Sequence, residues 1–355
     1  MEKIKAAVVG VGSISSCHIR SYIENPDVEL YAFCDINPDR LKMMGEKYGV
    51  TRLYTDEAEM LRDLPEIDVV SICTWNNAHA PCTIMALDAG KHVLCEKPMA
   101  TTVEDAEAMQ AAAERNGKLL MIGFVRRFGR DCDLATKLIS EGKLGEIYYA
   151  KAQYLRRNGH PGGWFGKKEI SGGGPLIDLG VHSIDLVRYL MGKPKAVSVY
   201  GSTFLKLGMR SNIKSKKEYT ASSAANGSKD ECTCEDLATA TIRFDNGAVL
   251  TAEMSFSLNI EGDRNNVELF GTGAGLLIDK EVRMFGEEND ELKDFTFEGP
   301  TGLSVREAFA KEIDHFIEAV QGKVECHNPA EDGVELMRIL TAIYRSAESG
   351  HEVTL

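Results

Sequence analysis

Asp178 and His182 stand four residues apart in a segment, Leu176 to Met191, whose apolar residues recur with a helical period. On a helix turning ~100° per residue, Asp178, His182 and Asp185 fall within about 60° of one another. Ile177, Val181, Ile184 and Met191 lie on one flank of them, and Leu186 and Leu190 on the other. A polar stripe that narrow predicts a mostly buried helix whose stripe lines a cleft, because a solvated helix would carry a broad charged face. The spacing brings the Asp178 carboxylate within reach of the His182 imidazole, where it can hold one tautomer and support a positive charge on the ring. That is what a general base for an alcohol proton requires. An isolated histidine is more often a satisfied structural group. Here the carboxylate before it, and the run Ser171-Gly172-Gly173-Gly174-Pro175 ahead of the helix, favour a functional reading. Zinc is the competing chemistry, but the stripe has one strong nitrogen ligand, and His18, His79, His92, His160, His315, His327 and His351 show no matching short spacing. No metal is expected.

A second set of residues reads as a phosphate cradle. A β-branched run, Ile4 to Val9, leads into Gly10-Val11-Gly12-Ser13-Ile14-Ser15, followed by a helical pattern from about Ser13 to Ile23. In a Rossmann βαβ unit the first glycine makes the tight turn, the second admits a pyrophosphate, and the helix N-terminus offers amides and the positive end of a dipole. Ser15 replaces the third fingerprint glycine. Asp35 ends the second strand pattern, where a carboxylate accepts both ribose hydroxyls and repels a 2′-phosphate. NAD is therefore expected over NADP, although Arg40 is near. Glu96-Lys97-Pro98 ends the strand run from His92, and a lysine there points toward the crevice of a doubly wound sheet, where its ammonium can hydrogen-bond a substrate oxygen.

The elements that must position these groups form two blocks. Residues 1–123 alternate strands (Ile4 to Val9, Glu29 to Cys34, Asp68 to Thr74, His92 to Cys95, Leu119 to Ile122) with helices such as Val103 to Arg115, the pattern of an α/β, doubly wound parallel sheet. From 124 onward one helix (Asp131 to Glu141) precedes alternating strands: Glu146 to Tyr154, Val197 to Phe204, Ala238 to Phe244, Ala248 to Phe256 and Asn266 to Phe270. Asp245-Asn246-Gly247 is a hairpin signal between two of them. This block, 124–355, reads as an α+β domain on a mostly antiparallel sheet, closed by helices at Val305 to Val320 and Pro329 to Glu348. Residues 208 to 231 are rich in Ser, Lys, Asn and Gly without an apolar period and predict a mobile surface excursion.

Composition narrows the partners. The 355 residues, 43% hydrophobic and 27% charged, suffice for two domains without a disulfide or metal staple. A net charge of −13, with one short basic segment around 210 to 217, argues against nucleic acid. Apolar runs are far shorter than the ~20 residues of a spanning helix, so no membrane partner and a cytoplasmic location are expected. Nine cysteines, an odd number mostly inside apolar runs, read as reduced thiols. Cys232-Thr-Cys234 is the one close pair, and its spacer is too short for a metal motif.

Gly10-Val11-Gly12-Ser13-Ile14, Thr74-Trp75-Asn76-Asn77-Ala78-His79, Ala89-Gly90-Lys91-His92-Val93 with Glu96-Lys97-Pro98, and Gly172-Gly173-Gly174 with Asp178, Gly180, His182 and Asp185 occur in order along the whole chain. Together they resemble the glucose-fructose oxidoreductase, inositol dehydrogenase and rhizopine catabolism (Gfo/Idh/MocA) family. The resemblance implies an N-terminal NAD-binding Rossmann domain and a C-terminal substrate-binding α/β domain with a large open sheet that mediates homodimers or homotetramers. It implies nicotinamide-dependent oxidation of a sugar or cyclitol hydroxyl. It assigns Lys97, Asp178 and His182 to catalysis, with His182 taking the proton, Asp178 orienting it and Lys97 bonding the reacting oxygen. Thr74, Asn76 and His79 would line the cofactor with Gly10, Gly12, Ser13, Ile14 and Asp35, and Glu96 and Lys97 would lie at its nicotinamide end. Trp75 stands where the family usually has proline.

Arg127, Arg156, His160 and Trp164 are candidate substrate contacts, since aromatic rings stack on sugar faces and guanidinium groups bind hydroxyls. Two rival functions use the same features. One is a redox-neutral glycosidase or epimerase-like enzyme working through a 3-keto sugar; the other is a non-catalytic NAD and sugar sensor, against which the intact Lys97, Asp178 and His182 argue.

Overall fold

The computed structural model describes residues 2–210, 212, 213 and 232–355. Near its start the chain lays down β1 (Ile4–Val9), β2 (Val28–Cys34), β3 (Leu53–Tyr54), β4 (Val69–Ile72), β5 (His92–Cys95) and β6 (Leu120–Ile122). They form one parallel sheet in the order β3-β2-β1-β4-β5-β6. Their near-continuous apolar runs follow from burial on both faces: Ala6, Ala7, Val8, Val69, Val70, Val93 and Leu94 are all fully enclosed. Five helices make the crossovers: α1 (Ser15–Glu24), α2 (Pro38–Tyr48), α3 (Glu57–Asp63), α4 (His79–Asp88) and α5 (Val103–Asn116). Local chemistry sets their ends. Asn37 caps α2 by accepting the Asp39 and Arg40 amides, Pro38 follows it, and Gly49 stops the helix at φ +73°. Strand order reverses at β1, so a crevice opens beyond the C-terminal ends of β1 and β4.

The later part of the chain supplies α6 (Arg130–Ser140), β7 (Ile147–Leu155), α7 (Lys168–Ser171), α8 (Val181–Leu190), β8 (Ala196–Phe204), β9 (Leu237–Phe244) and β10 (Val249–Ser255). It continues with β11 (Arg264–Gly271), β12 (Ala274–Ile278), β13 (Val282–Glu288), β14 (Glu291–Phe295), α9 (Val305–Val320), α10 (Ala330–Ser349) and β15 (Val353–Thr354). The sheet order is β14-β13-β12-β11-β7-β10-β9-β8-β15, antiparallel throughout except for the parallel β7–β10 pair. Asp245-Asn246-Gly247 turns β9 into β10, with Gly247 at φ +85° and the Asn246 side chain accepting the Ala248 amide.

Packing divides the chain into two units, Met1–Val125 with Phe309–Met337, and Arg126–Ala308 with Arg338–Leu355. The division after 125 lies close to the one read from sequence, but 309–337 goes with the first unit. Its reason is an open sheet edge. Ile122 donates its amide to the Asn328 carbonyl at 2.9 Å, Asn328 returns its side-chain amide to the Ile122 carbonyl at 3.0 Å, and Met121 bridges Pro329. This segment thus covers β6, which among the described residues no strand pairs on that side.

One further expectation is corrected. The single helix expected from Leu176 to Met191 begins as a π-helical turn, Leu176–Gly180, and becomes α-helical only at Val181. At the start of the excursion expected at 208 to 231, Asp236 accepts the Gly208 amide along with those of Lys206 and Leu207, and Arg210 donates to the Arg157 carbonyl. Its residues 211 and 214–231 lie outside the described residues. All nine cysteines are free thiols, and among the described residues no helix is long and apolar enough to cross a membrane.

Candidate functional site

In the first unit every expected cofactor residue lies at or just beyond the C-terminal end of a parallel strand. Gly10 and Gly12 follow β1, Asp35 follows β2, Thr74 and Asn76 follow β4, and Glu96 and Lys97 follow β5. The two glycines differ in why they are glycine. Gly10 sits at φ +83°, and a Cβ there would fall 2.7 Å from the Cys73 carbonyl group, so the turn itself forbids a side chain. A Cβ on Gly12 would meet no protein atom within 4 Å, so the cradle is open at the position where a pyrophosphate approaches. Ser13 is exposed and Ile14 half-buried beside it, and no side chain caps α1. These features fit a dinucleotide. Ser15, in place of the third glycine, is buried and donates its hydroxyl to the Gly12 carbonyl at 2.8 Å.

Asp35 holds the cradle from β2. Its Oδ2 accepts the Val11 amide and its Oδ1 the Asn37 amide, each at 2.8 Å. The carboxylate is thereby fixed beside the glycine turn, with acceptor capacity left for hydroxyl donors.

Beyond β4 and β5 lies a buried polar network that the sequence reading did not assemble. His18, fully enclosed on α1, has Nε2 2.9 Å from Glu96 Oε1 and Nδ1 3.1 Å from Ser71 Oγ, and Ser71 Oγ lies 2.7 Å from the Tyr22 hydroxyl. Glu96 Oε2 accepts the Lys97 amide at 3.1 Å. Burial opposes ionisation of Glu96, but the hydrogen bond and charge of His18, with Lys97 and His79, outweigh it and hold the carboxyl below its ordinary pKa. Lys97 is thus attached to a fixed anion and is itself half-buried. His79 is enclosed between the strand ends, with Nδ1 2.7 Å from the Pro98 carbonyl and Nε2 3.3 Å from that of Thr74. Burial lowers its pKa, opposed by the hydrogen bonds to the Pro98 and Thr74 carbonyls. Asn76 is buried, while Trp75 is 40% exposed.

In the second unit the helix read as a polar stripe is buried as expected, with two exceptions. Between Gly173 and Arg188 only Asp178 and His182 reach solvent, both half-buried. Asp178 lies within the π-helical turn and His182 at the second position of α8, a transition of the kind often found at functional sites. Asp185 does not share the stripe's exposure. It is enclosed in an ion pair with Arg127, whose guanidinium also lies over the Tyr189 ring at 4.8 Å. Arg127 is therefore placed as an internal strut.

The other expected substrate residues lie on the segment leading to the triple glycine. Arg156, half-buried, donates to the Gly159 carbonyl at 3.1 Å and to the Tyr154 hydroxyl at 3.3 Å. His160 is fully enclosed: its Nδ1 accepts the Gly162 amide, its ring leans on Phe256, and its Nε2 lies 3.7 Å from Cys232 Sγ. Trp164 is half-buried and stacks on Phe165, with ring centroids 3.9 Å apart.

A glycine turn open to a pyrophosphate, on a parallel sheet with the dinucleotide strand order, defines a dinucleotide-binding Rossmann domain, and the family models place it in a class of oxidoreductases. The family model described as "Oxidoreductase family, NAD-binding Rossmann fold" matches residues 4–124, and "Oxidoreductase family, C-terminal alpha/beta domain" matches 136–355. The chain belongs to the Gfo/Idh/MocA oxidoreductase family, and its cofactor is NAD. It is 36% identical over 355 residues to the D-glucoside 3-dehydrogenase of Escherichia coli strain K12, covering 99% of this chain and 97% of that one. It is 29% identical over 295 residues to the levoglucosan dehydrogenase of Pseudarthrobacter phenanthrenivorans, covering 80% of this chain and 75% of the relative. Among solved structures, levoglucosan dehydrogenase in complex with NADH and L-sorbose superposes with a TM-score of 0.87 at 25% identity, over 100% of this chain and 99% of that one. The aldose-aldose oxidoreductase of Caulobacter crescentus complexed with glycerol gives 0.82 at 28% identity over all of both chains.

Proposed function

We propose that this enzyme oxidises a secondary hydroxyl of a sugar, sugar derivative or cyclitol to the ketone, or reduces the matching ketone. His182 serves as the general base, with Asp178 and Lys97. The observation that carries the reading is the selective exposure of Asp178 and His182 in the stretch from Gly173 to Arg188, whose other residues are buried. Sequence similarity over nearly the full length to a D-glucoside 3-dehydrogenase supports a glucoside as substrate.

NAD, when bound, supplies the hydride acceptor. Gly10, Gly12, Ser13, Ile14 and Asp35 would hold its adenosine and pyrophosphate end, and Thr74, Asn76, His79, Glu96 and Lys97 the other. The protein's own task is the hydroxyl proton. The His182 imidazole accepts it as the C–H bond breaks, and the Asp178 carboxylate stabilises the resulting imidazolium. The Lys97 ammonium donates a hydrogen bond to the oxygen while it carries excess charge. Arg156 and Trp164 would border the sugar, with the enclosed His160 acting by holding the Gly162 amide and Arg127 through its ion pair with Asp185.

A panel of polyols, aldoses and glycosides followed by NADH absorbance tests this. The expected result is net NADH formation with at least one secondary alcohol. His182→Ala should reduce kcat at least ~100-fold, the usual scale of general-base catalysis, while leaving NADH affinity intact. Turnover in His182→Ala within a few-fold of the wild type would refute the assignment. Conversion of a glycoside without net NADH would instead identify the redox-neutral reaction.

A further inference from the structure

The helix that carries Asp178 and His182 starts without help from its neighbours in sequence. Pro175 precedes the π-helical turn and no local side chain caps it, although the first amides of a helix need acceptors. The acceptor comes from 61 residues away. Glu235, buried, receives the Gly174 amide at 3.0 Å on each oxygen and the Leu176 amide at 3.2 Å on Oε1. The Tyr344 hydroxyl, from α10, donates to the same Oε1 at 2.8 Å.

The triple glycine is shaped by these two residues. A Cβ on Gly173 would lie 2.0 Å from the Tyr344 hydroxyl, and one on Gly174 would lie 2.1 Å from the Glu235 carbonyl oxygen and 3.0 Å from its carboxyl carbon. Only a bare backbone lets the carboxylate reach the turn. The residues before Glu235 continue the attachment: Thr233 donates its amide to the Gly166 carbonyl and accepts the Lys168 amide, and the Cys234 thiol lies 3.5 Å from the Ser171 hydroxyl. An anion at this end is also matched to the dipole of the helix it holds.

We propose that Glu235 is a positioning residue for the reaction: through the Gly174–Leu176 turn, and steadied by Tyr344, it fixes the setting of Asp178 and His182. This rests on the reading of His182 as the base. Glu235→Gln keeps the size of the side chain but removes its charge and sets an NH2 group against the Gly174 amide if it takes the Oε2 place, or against the Gly174 and Leu176 amides if it takes the Oε1 place. Tyr344→Phe removes one donor and leaves the carboxylate.

Both variants are tested in the full chain by kinetics and by the NMR signals of the His182 ring, identified among the eight histidines by their loss in His182→Ala. In Glu235→Gln, kcat should fall at least tenfold with KM for NAD within twofold, and the His182 signal should shift or broaden. Tyr344→Phe should show the same changes at about threefold, and it carries the test if Glu235→Gln does not fold. Wild-type kcat in a folded variant, or an unmoved His182 signal in both, overturns the proposal. Failure of the functional reading looks different: wild-type turnover that survives His182→Ala. The NMR signal decides the positioning role in that case too.

Discussion

Arg127 grips Asp185 with both arms of its guanidinium, Nε to Oδ2 at 2.9 Å and Nη2 to Oδ1 at 2.5 Å, and both side chains are almost wholly enclosed. The pair ties the loop before α6 to the middle of α8, 58 residues later. It also removes Asp185 from the polar stripe, which leaves Asp178 and His182 as its exposed members.

Breaking that pair should cost far more than any surface charge change. Asp185→Ala leaves an enclosed guanidinium without its carboxylate, and the expected loss is about 3–5 kcal/mol in urea unfolding. Arg127→Met with Asp185→Leu, which removes both charges, should recover most of it. A loss below about 1 kcal/mol in Asp185→Ala would show that the pair is not the strut described.

Gly10→Ala and Gly12→Ala should separate stability from cofactor binding. The first forces a Cβ into the Cys73 carbonyl at a left-handed φ and should destabilise the fold by more than about 1 kcal/mol. The second meets only open space in the protein and should leave thermal unfolding unchanged. It should nonetheless weaken NADH at least tenfold by fluorescence titration. Equal NADH affinity in Gly12→Ala and wild type would place the pyrophosphate elsewhere.

Asp35→Ser removes the carboxylate that would receive the ribose hydroxyls and repel a 2′-phosphate. NAD affinity should fall at least tenfold, and the preference for NAD over NADP should narrow by a similar factor. Unchanged discrimination in titrations with both cofactors would clear Asp35 of that role.

Glu57 makes stability depend on pH. Burial pushes its carboxyl from 4.5 to about 7, so between those values the folded state binds the extra proton. Its contribution is complete below pH 4.5 and disappears as the pH rises to about 7, a change of about 3 kcal/mol. Glu57→Gln, which keeps a neutral side chain at every pH, should therefore gain on wild type between pH 5 and pH 8 in urea unfolding. A constant difference across that range would contradict the shift.

Much of this was legible in local pattern. The limits of β1, β5 and α9 agree with the sequence reading residue for residue, because uninterrupted apolar runs and a sustained 3.6-residue period need no distant partner to be recognised. The Asp245-Asn246-Gly247 hairpin was legible for the same reason. Helical period grouped Asp178, His182 and Asp185 in one stripe, and it took the ion pair with Arg127, 58 residues away, to separate the buried Asp185 from the two half-buried members. What escaped were relations between distant residues. Nothing near Gly174 announces Glu235, and nothing near His18 announces Glu96, since the pairs are 61 and 78 residues apart. The two-residue β3 and the exposed, charge-rich β14 carry too little apolar pattern to register. The π-helical turn at Leu176 is invisible to any reading that assumes one constant period.

The antiparallel contact of Met121 with Pro329 bears on how the molecule is made. A polypeptide emerging in order lays down Leu120–Ile122 some two hundred residues before the stretch that closes its bare margin. Until then the half that receives the dinucleotide offers a sticky backbone rim to other nascent chains. Its maturation must therefore wait until Asn328 and Pro329 have been made.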